Sequence, residues 1–232
     1  MPHLQRDGDV FVLDLGEEGR SDTENRFSPE FLAAMSERLD EVEGSRGDAA
    51  LVTTGTGKFY SNGLDLEWLG AHGDQAASYV GAIQALFSRI LTFPMVTVAA
   101  LQGHTYAGGA MLAVAHDAKV MRADRGFLCF PEVDIHIPFT EGMAALLQGR
   151  LSKVTAHTAM TTGRRYGGTE ALQAGIVDET ASEGDVLARA VAHAQSLVDK
   201  RGNTLAAIKQ VMYAPAVKAL ADVSALSFDA NA

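Results

Sequence analysis

A single cysteine, Cys129, stands among 232 residues, which rules out an internal disulfide and fits a reducing interior. Its setting in Phe127-Leu-Cys-Phe130 reads as a small buried hydrophobe rather than a nucleophile. Cationic residues are also scarce: 19 Lys and Arg against 29 Asp and Glu leave a formal net charge of −10. Basic patches supply most of the attraction to nucleic acid and anionic membranes, so neither is expected as a partner. No apolar run reaches membrane-spanning length, and the first nine residues, Met1 to Asp9, lack the core of a secretory signal. The last three, Ala230-Asn-Ala232, are not a Ser-Lys-Leu peroxisomal address, and a cytoplasmic location is expected. Linkers, low-complexity tracts and legible short repeats are missing. Two phosphate signatures fail as well. Gly55-Thr-Gly-Lys58 would need Gly at Val52 and Ser or Thr at Phe59 to be a Walker loop, and Gly103-His-Thr-Tyr-Ala-Gly108 is not the dinucleotide fingerprint. The seven histidines are scattered with no metal-ligand cluster, so His104 and His116 read as structural or solvated. Ser61 has no general base near it in sequence, which argues against a serine hydrolase.

What is present is an apolar chain, 47% hydrophobic, long enough to bury one sizeable core and hence one main domain. Val10-Phe-Val-Leu-Asp-Leu15 reads as a strand and residues 16–28 as a loop. Ser28 then caps a helix with Pro29 at its first position. Phe31, Met35, Leu39 and Val42 form one apolar stripe along it. A strand over 49–53 leads to a glycine-rich turn, Gly55 to Gly63, and residues 65–92 read as helical, with Leu86, Ile90 and Leu91 on the buried side. Strand 95–101, helix 108–116 and strand 118–122 complete a βαβαβ run, the pattern of a parallel sheet with right-handed crossovers. From about 142 the chain turns helical, over 142–149, 152–162, 169–174, 184–200 and 203–213.

Two strand-to-helix junctions carry glycines. Gly108 and Gly109 precede Ala110, Met111 and Leu112, where an apolar helix begins, and Ser61-Asn-Gly-Leu64 closes the earlier turn. Glycine lets the backbone approach a ligand closely, and the free N–H groups of a first helical turn attract a phosphate, a carboxylate or a developing oxyanion. A third segment, Arg125-Gly-Phe-Leu-Cys-Phe-Pro-Glu-Val-Asp-Ile135, ends an apolar run in acidic residues.

Phe59-Tyr-Ser-Asn-Gly-Leu-Asp-Leu66, Gly103 through Asp117 and Phe130-Pro-Glu-Val133, in that order and spacing, resemble the crotonase (enoyl-CoA hydratase/isomerase) superfamily. The resemblance runs from the opening strand near Val10 to Gly163-Arg164 and Ala171-Leu-Gln-Ala-Gly-Ile-Val-Asp178. It implies an α/β crotonase (ClpP-like) spiral of ββα units over residues 1–165, continuing into a helical C-terminal region over 166–232 as one unit. It also implies a homotrimer or dimer of trimers, and an acyl-CoA thioester substrate with coenzyme A as part of the substrate and no separate cofactor.

The same resemblance implies an oxyanion hole of two backbone N–H groups, Leu64 and Gly108, gripping the thioester carbonyl. One such donor contributes roughly 3–4 kcal/mol to a transition state. Binding in this way acidifies the α-carbon and stabilises an enolate. Hydratases of the family use two glutamates. Here the first of those positions is Met111, which moves no proton, and the second is Glu132. One carboxylate suffices to shuttle a proton between C2 and C4, the logic of a Δ3,Δ2-enoyl-CoA isomerase. Phe59 to Asp65, Phe93-Pro-Met-Val-Thr-Val-Ala-Ala100 and Met121 to Phe127 are also most similar to that branch. The apolar setting after Phe130-Pro131 predicts burial of Glu132 and a raised pKa. Asp134 is the reserve base, since in an extended segment it would share a side with Glu132, and Glu141 is a second reserve beside its reading as a helix-start charge. Val133 to Gly142 lacks the glycine-rich loop typical of hydratases. Substrate and coenzyme A contacts are expected from Arg26, Ser61, Asn62, Gly63, Gly109 and Met111. Lys209 or Lys218 is a further phosphate contact, against the alternative of solvent-facing lysines. Hydration, thioester hydrolysis with Asp134 or Glu141 as second carboxylate, and a catalytically silent acyl-CoA-binding protein are the alternatives these residues leave open.

Overall fold

The structure, a computed structural model, describes residues 1–223; the rest of the expected helical region, with the terminal 230–232, lies outside the described residues. The chain opens with β1 (His3–Asp7) and β2 (Val10–Asp14), an antiparallel pair. β3 (Arg26–Phe27) leads into α1 (Pro29–Gly44), where the Ser28 side chain accepts from Phe31 N and Pro29 sits in the first turn. Its buried residues, Phe31, Met35, Leu39 and Val42, are the stripe read from the sequence.

Then comes a repeated unit, two strands followed by a helix or helical turn. β4 (Ala50–Thr54) and β5 (Phe59–Ser61) precede β6 (Gly63–Leu64), α2 (Leu66–Ala71), a 3-10 turn (Gly73–Gln75) and α3 (Ala76–Leu91). β7 (Thr97–Leu101) and β8 (His104–Tyr106) precede α4 (Gly108–Ala115). β9 (Ala118–Arg122) and β10 (Leu128–Cys129) precede a 3-10 turn over Pro131–Val133. The rest is helical apart from β11 (Glu179–Ala181): α5 (Glu141–Arg150), α6 (Lys153–Thr162), α7 (Gly168–Gln173), α8 (Val186–Gln195), α9 (Asn203–Met212) and α10 (Ala214–Ala221). This is the succession of ββα units that the resemblance implies.

The first strand of each unit joins a six-stranded sheet in the order β1-β2-β4-β7-β9-β11, parallel except at β1. The second strand of each joins a small parallel sheet, β10-β8-β5. The inner strands β2, β4, β7 and β9 of the large sheet are buried on both faces, as parallel strands are, and side-chain alternation divides their residues between them. Leu51, Ala99 and Met121 join the main core with α1, α3 and α4, while Val52, Val98 and Val120 pack on α8 through Val186, Ala190 and Ala194.

Three expectations are corrected here. Residues 65–92 are two helices and a 3-10 turn, because Gly70, Gly73 and Asp74 weaken the helix between the Asp65 cap and Ala76. Residues 184–200 likewise divide into α8 and a 3-10 turn over Val198–Lys200. Loop 16–28 contains β3, which pairs with β6. The short strands β5, β6, β8 and β10 were not anticipated from sequence, nor were β1 and α10. β1 is a half-exposed edge strand without an apolar alternation, and α10 has Pro215 in its first turn, where proline is tolerated. Among the described residues no helix is long and apolar enough to cross a membrane.

Candidate active site

The three sequence segments singled out above converge because β5, β8 and β10 lie side by side and parallel. Each delivers the residues just past its carboxyl end: Gly63 and Leu64 after β5, Ala107 and Gly108 after β8, Glu132 after β10. The carboxyl ends of parallel strands are where open α/β sheets bind ligands.

The two glycine loops are in direct contact. A methyl group placed on Gly63 would lie 2.7 Å from Gly108 N, and one placed on Gly108 would lie 2.8 Å from Leu64 Cδ1. Gly63 also has φ of 78°, a left-handed backbone that glycine adopts freely. Ala107, immediately before Gly108, holds φ of 48°, which costs an L-residue energy and recurs at functional turns. Its N–H donates to Cys129 O at 3.0 Å, fixing it to β10.

Glu132 sits in the 3-10 turn, only 6% exposed, and its Oε2 has no hydrogen-bond partner. Burial raises its pKa from the usual carboxylate range to about 7. The carboxyl lines a pocket of about 200 Å³ with Leu64, Leu66, Val80, Tyr106, Ala107 and Met111. Ile135, Ile137, Pro138, Thr140 and Met143 close the other side, and Arg26 and Asn62 stand at its polar end. Met111 is 1% exposed and carries no proton, and no other acidic side chain among the described residues lines the pocket. Glu24 ties Arg26 and Asn62 together, at 2.6 Å and 3.0 Å. A larger groove, about 510 Å³ between α1 and α3, has Arg89 as its one charged lining residue, already paired with Asp40 and Glu43.

The structure brings Arg26, Asn62, Leu64, Met111 and Glu132 to one cavity, with Gly63 and Gly108 next in sequence to the lining residues Leu64 and Ala107. It separates others from it. The segment after Pro131 is helical rather than extended, so residues two apart do not share a side; Asp134 is exposed and its carboxylate lies against Gly163. Glu141 is exposed in the first turn of α5, the helix-start position. Ser61 has no exposed surface and its hydroxyl is engaged within the protein, so it does not reach a ligand directly. Gly109 is buried against Ser61. Lys209 is neither a phosphate contact nor solvent-facing: it is 4% exposed, and its Nζ donates to Phe93 O, Met95 O and Asp117 Oδ2. Lys218 is exposed on α10 and does not line the pocket. His116 is fully buried between Leu112 O and Thr53 Oγ1, with burial lowering its pKa to about 4, and Cys129 is buried with its thiol pushed up to about 11.

Sequence reasoning missed Leu66, Val80, Tyr106, Ala107, Ile135, Ile137, Pro138, Thr140 and Met143. Ile135-His-Ile-Pro138 stood out as a departure from the hydratase loop, and its apolar composition was the available signal for a pocket wall. Val80 and Met143 carry none, since a helix residue facing a pocket has the same periodicity as one facing core.

Strands paired into two sheets by successive ββα units, with glycine turns and one buried carboxyl at the ends of the small sheet, define a crotonase-type α/β enzyme. Residues 19–231 match the family model described as enoyl-CoA hydratase/isomerase, and the chain belongs to that family, on the isomerase branch of the crotonase superfamily. It is 34% identical over 232 residues to enoyl-CoA delta isomerase 3 of Arabidopsis thaliana, covering 96% of this chain and 95% of that protein. The apo structure of the Mycobacterium tuberculosis enoyl-CoA isomerase superposes with TM-score 0.82 at 26% identity, over 94% of this chain and 93% of that one. An enoyl-CoA hydratase from Mycobacterium marinum gives 0.81 at 26%, over 94% of each. Both activity names occur among the neighbours, so the choice between them rests on the residues.

Proposed function

We propose that this protein is an enoyl-CoA isomerase that moves the double bond of a 3-enoyl-CoA into conjugation as the trans-2-enoyl-CoA. The observation that carries the reading is the asymmetry at the pocket: Glu132 has an unpartnered, buried Oε2, and Met111, which lines the same pocket, offers no second carboxylate. The N–H groups of Leu64 and Gly108 hold the thioester oxygen. The Glu132 carboxylate takes a proton from C2, and the electron pair spreads over a dienolate from the thioester oxygen to C4. The carboxylic acid then returns the proton to C4 and the double bond settles between C2 and C3, with no net gain or loss of atoms.

A base with pKa near 7 suits both halves of this shuttle, since it must accept a proton and then release it. Buried apolar neighbours such as Val80, Met111 and Met143 keep water from the dienolate. Arg26 and Asn62 face the polar end, where the coenzyme A part of the substrate would enter; the shift needs no cofactor beyond it. Hydration would need a second carboxylate to help activate water, and Met111 supplies none.

The test is incubation with 3-enoyl-CoA and, separately, trans-2-enoyl-CoA, reading both isomerisation and hydration. Rapid isomerisation with slow hydration is expected. Hydration at a comparable rate would overturn the single-base reading, and binding of both esters without turnover would leave a silent acyl-CoA binder.

A further inference from the structure

Ser61 is completely buried, yet it touches both glycine loops. Its Oγ donates to Asn25 O at 2.7 Å, which directs the oxygen's lone pairs elsewhere, and it accepts from Gly63 N at 3.1 Å. On the other side its main chain and Cβ meet the start of α4: a methyl group on Gly109 would lie 2.6 Å from Ser61 O and 2.7 Å from Ser61 Cβ. One residue therefore sets the spacing of the Gly63–Leu64 turn and the Gly108–Gly109 turn.

The acceptor for its hydroxyl is itself held. Asn25 is 6% exposed with φ of 51°, and its Nδ2 grips Phe59 O at 3.2 Å and Tyr60 O at 3.0 Å. Asn25 thus spends a strained backbone to bind β5 from below, and its own carbonyl is aimed at Ser61. A hydroxyl with a fixed donor direction is a better anchor for an N–H than one free to rotate.

We infer that Ser61 is a positioning residue for the oxyanion hole, locked by Asn25 and holding the Leu64 and Gly108 N–H groups at the separation that one thioester oxygen requires. This rests on the reading that those two N–H groups hold the thioester, and the experiment keeps the two apart. Trans-2-enoyl-CoA labelled with ¹³C at C1 is bound to the wild type, to Ser61→Ala and to Ser61→Cys. Difference infrared spectroscopy then reads the carbonyl stretch, which falls in frequency as hydrogen bonds polarise the bond, and kcat and ester Kd are measured in parallel.

Ser61→Ala is expected to lose most of the carbonyl shift and ~10-fold or more in kcat, while Kd changes by less than ~3-fold. Ser61→Cys, similar in shape with a weaker acceptor, is expected to fall between. A full carbonyl shift with wild-type kcat in Ser61→Ala overturns the inference and leaves the oxyanion hole intact. No shift in the wild type overturns the oxyanion hole itself. Should Ser61→Ala not fold, Ser61→Cys decides: wild-type shift and kcat there overturn the inference equally.

Discussion

Glu132 and Lys209 are almost equally buried, 6% and 4% exposed, and their surroundings differ in every other respect. Lys209 gives all three N–H bonds to Phe93 O, Met95 O and Asp117 Oδ2, whose carboxylate also accepts from Thr97 N and Oγ1. Arg150 donates to the carbonyls of Val114, His116 and Asp117 beside it, and to the Tyr213 hydroxyl. Every strong donor in that cluster has a partner. Glu132 has an orphan oxygen and apolar neighbours instead. A buried ion with saturated bonding anchors helices to a sheet; a buried carboxyl left unsatisfied costs stability and gains reactivity. The contrast separates the structural site from the reactive one.

The largest effect should come from breaking the saturated cluster. Lys209→Met keeps the aliphatic stem but leaves Asp117 without its ion pair and two carbonyls without a donor. Removing one partner of a buried pair typically costs about 3–5 kcal/mol. Thermal or urea unfolding should register that loss, while acyl-CoA affinity of the folded fraction stays near wild type. An unchanged melting temperature would show that water replaces the ammonium without penalty and that the cluster is not the anchor described.

Glu132→Gln tests the other side of the contrast. It keeps size and hydrogen-bonding capacity but cannot accept the C2 proton, so kcat should fall by at least ~10². Ester Kd should move little, since other groups hold thioester and nucleotide. Stability should rise if it changes at all, which is the reverse of Lys209→Met. If Glu132→Gln turns over normally, the base lies elsewhere.

The difference between the two sites explains what could be read from the chain. Glu132 was legible because Phe130-Pro-Glu-Val133 matches a motif of the family the chain resembles, its apolar setting announcing only the burial, and the Ser28–Pro29 start and the Phe31 to Val42 stripe of α1 follow from local rules of capping and periodicity. Lys209 was not, because its partners Phe93 O, Met95 O and Asp117 are far away in sequence and a lysine on a helix is usually solvated. The two- and three-residue strands β3, β6, β8 and β10 are too short to show alternation; pairing between distant segments creates them. The helical turn at Pro131–Val133 follows the same rule. Proline at its first position fits a helical start as well as an extended one, and tertiary context decided.

Titration sharpens the comparison by a smaller amount. Glu132 must be ionised to act, and its pKa is raised to about 7 by burial. The kcat/KM for 3-enoyl-CoA should therefore fall about tenfold per pH unit below that value. Stability runs the opposite way. A carboxyl raised above its unfolded value favours the fold while protonated, fully below the ordinary carboxylate range, and that contribution is lost as pH rises through about 7. Glu132→Gln should therefore gain on the wild type between pH 5 and 8, by about 3 kcal/mol at most. Parallel unfolding curves for the two proteins across this range would contradict the raised pKa.

The smallest effects should come from the two reserve carboxylates. Asp134 turns to Gly163 at the end of α6, and Glu141 stands exposed in the first turn of α5. Neither lines the pocket, so neither has a path to C2 or C4 of a bound ester. Asp134→Asn and Glu141→Gln should each leave kcat within ~2-fold of wild type. Glu141→Gln loses a favourable charge at a helix start, worth about 0.3–1 kcal/mol of stability. Both should also leave the acid limb of the pH profile in place, because Glu132 alone is assigned to it. An Asp134→Asn protein that loses the limb along with its turnover would transfer the base to Asp134, and would require the 3-10 turn at Pro131 to unwind when the ester binds. Measuring the limb in both variants distinguishes that outcome from a simple loss of packing, which lowers kcat without moving the pKa.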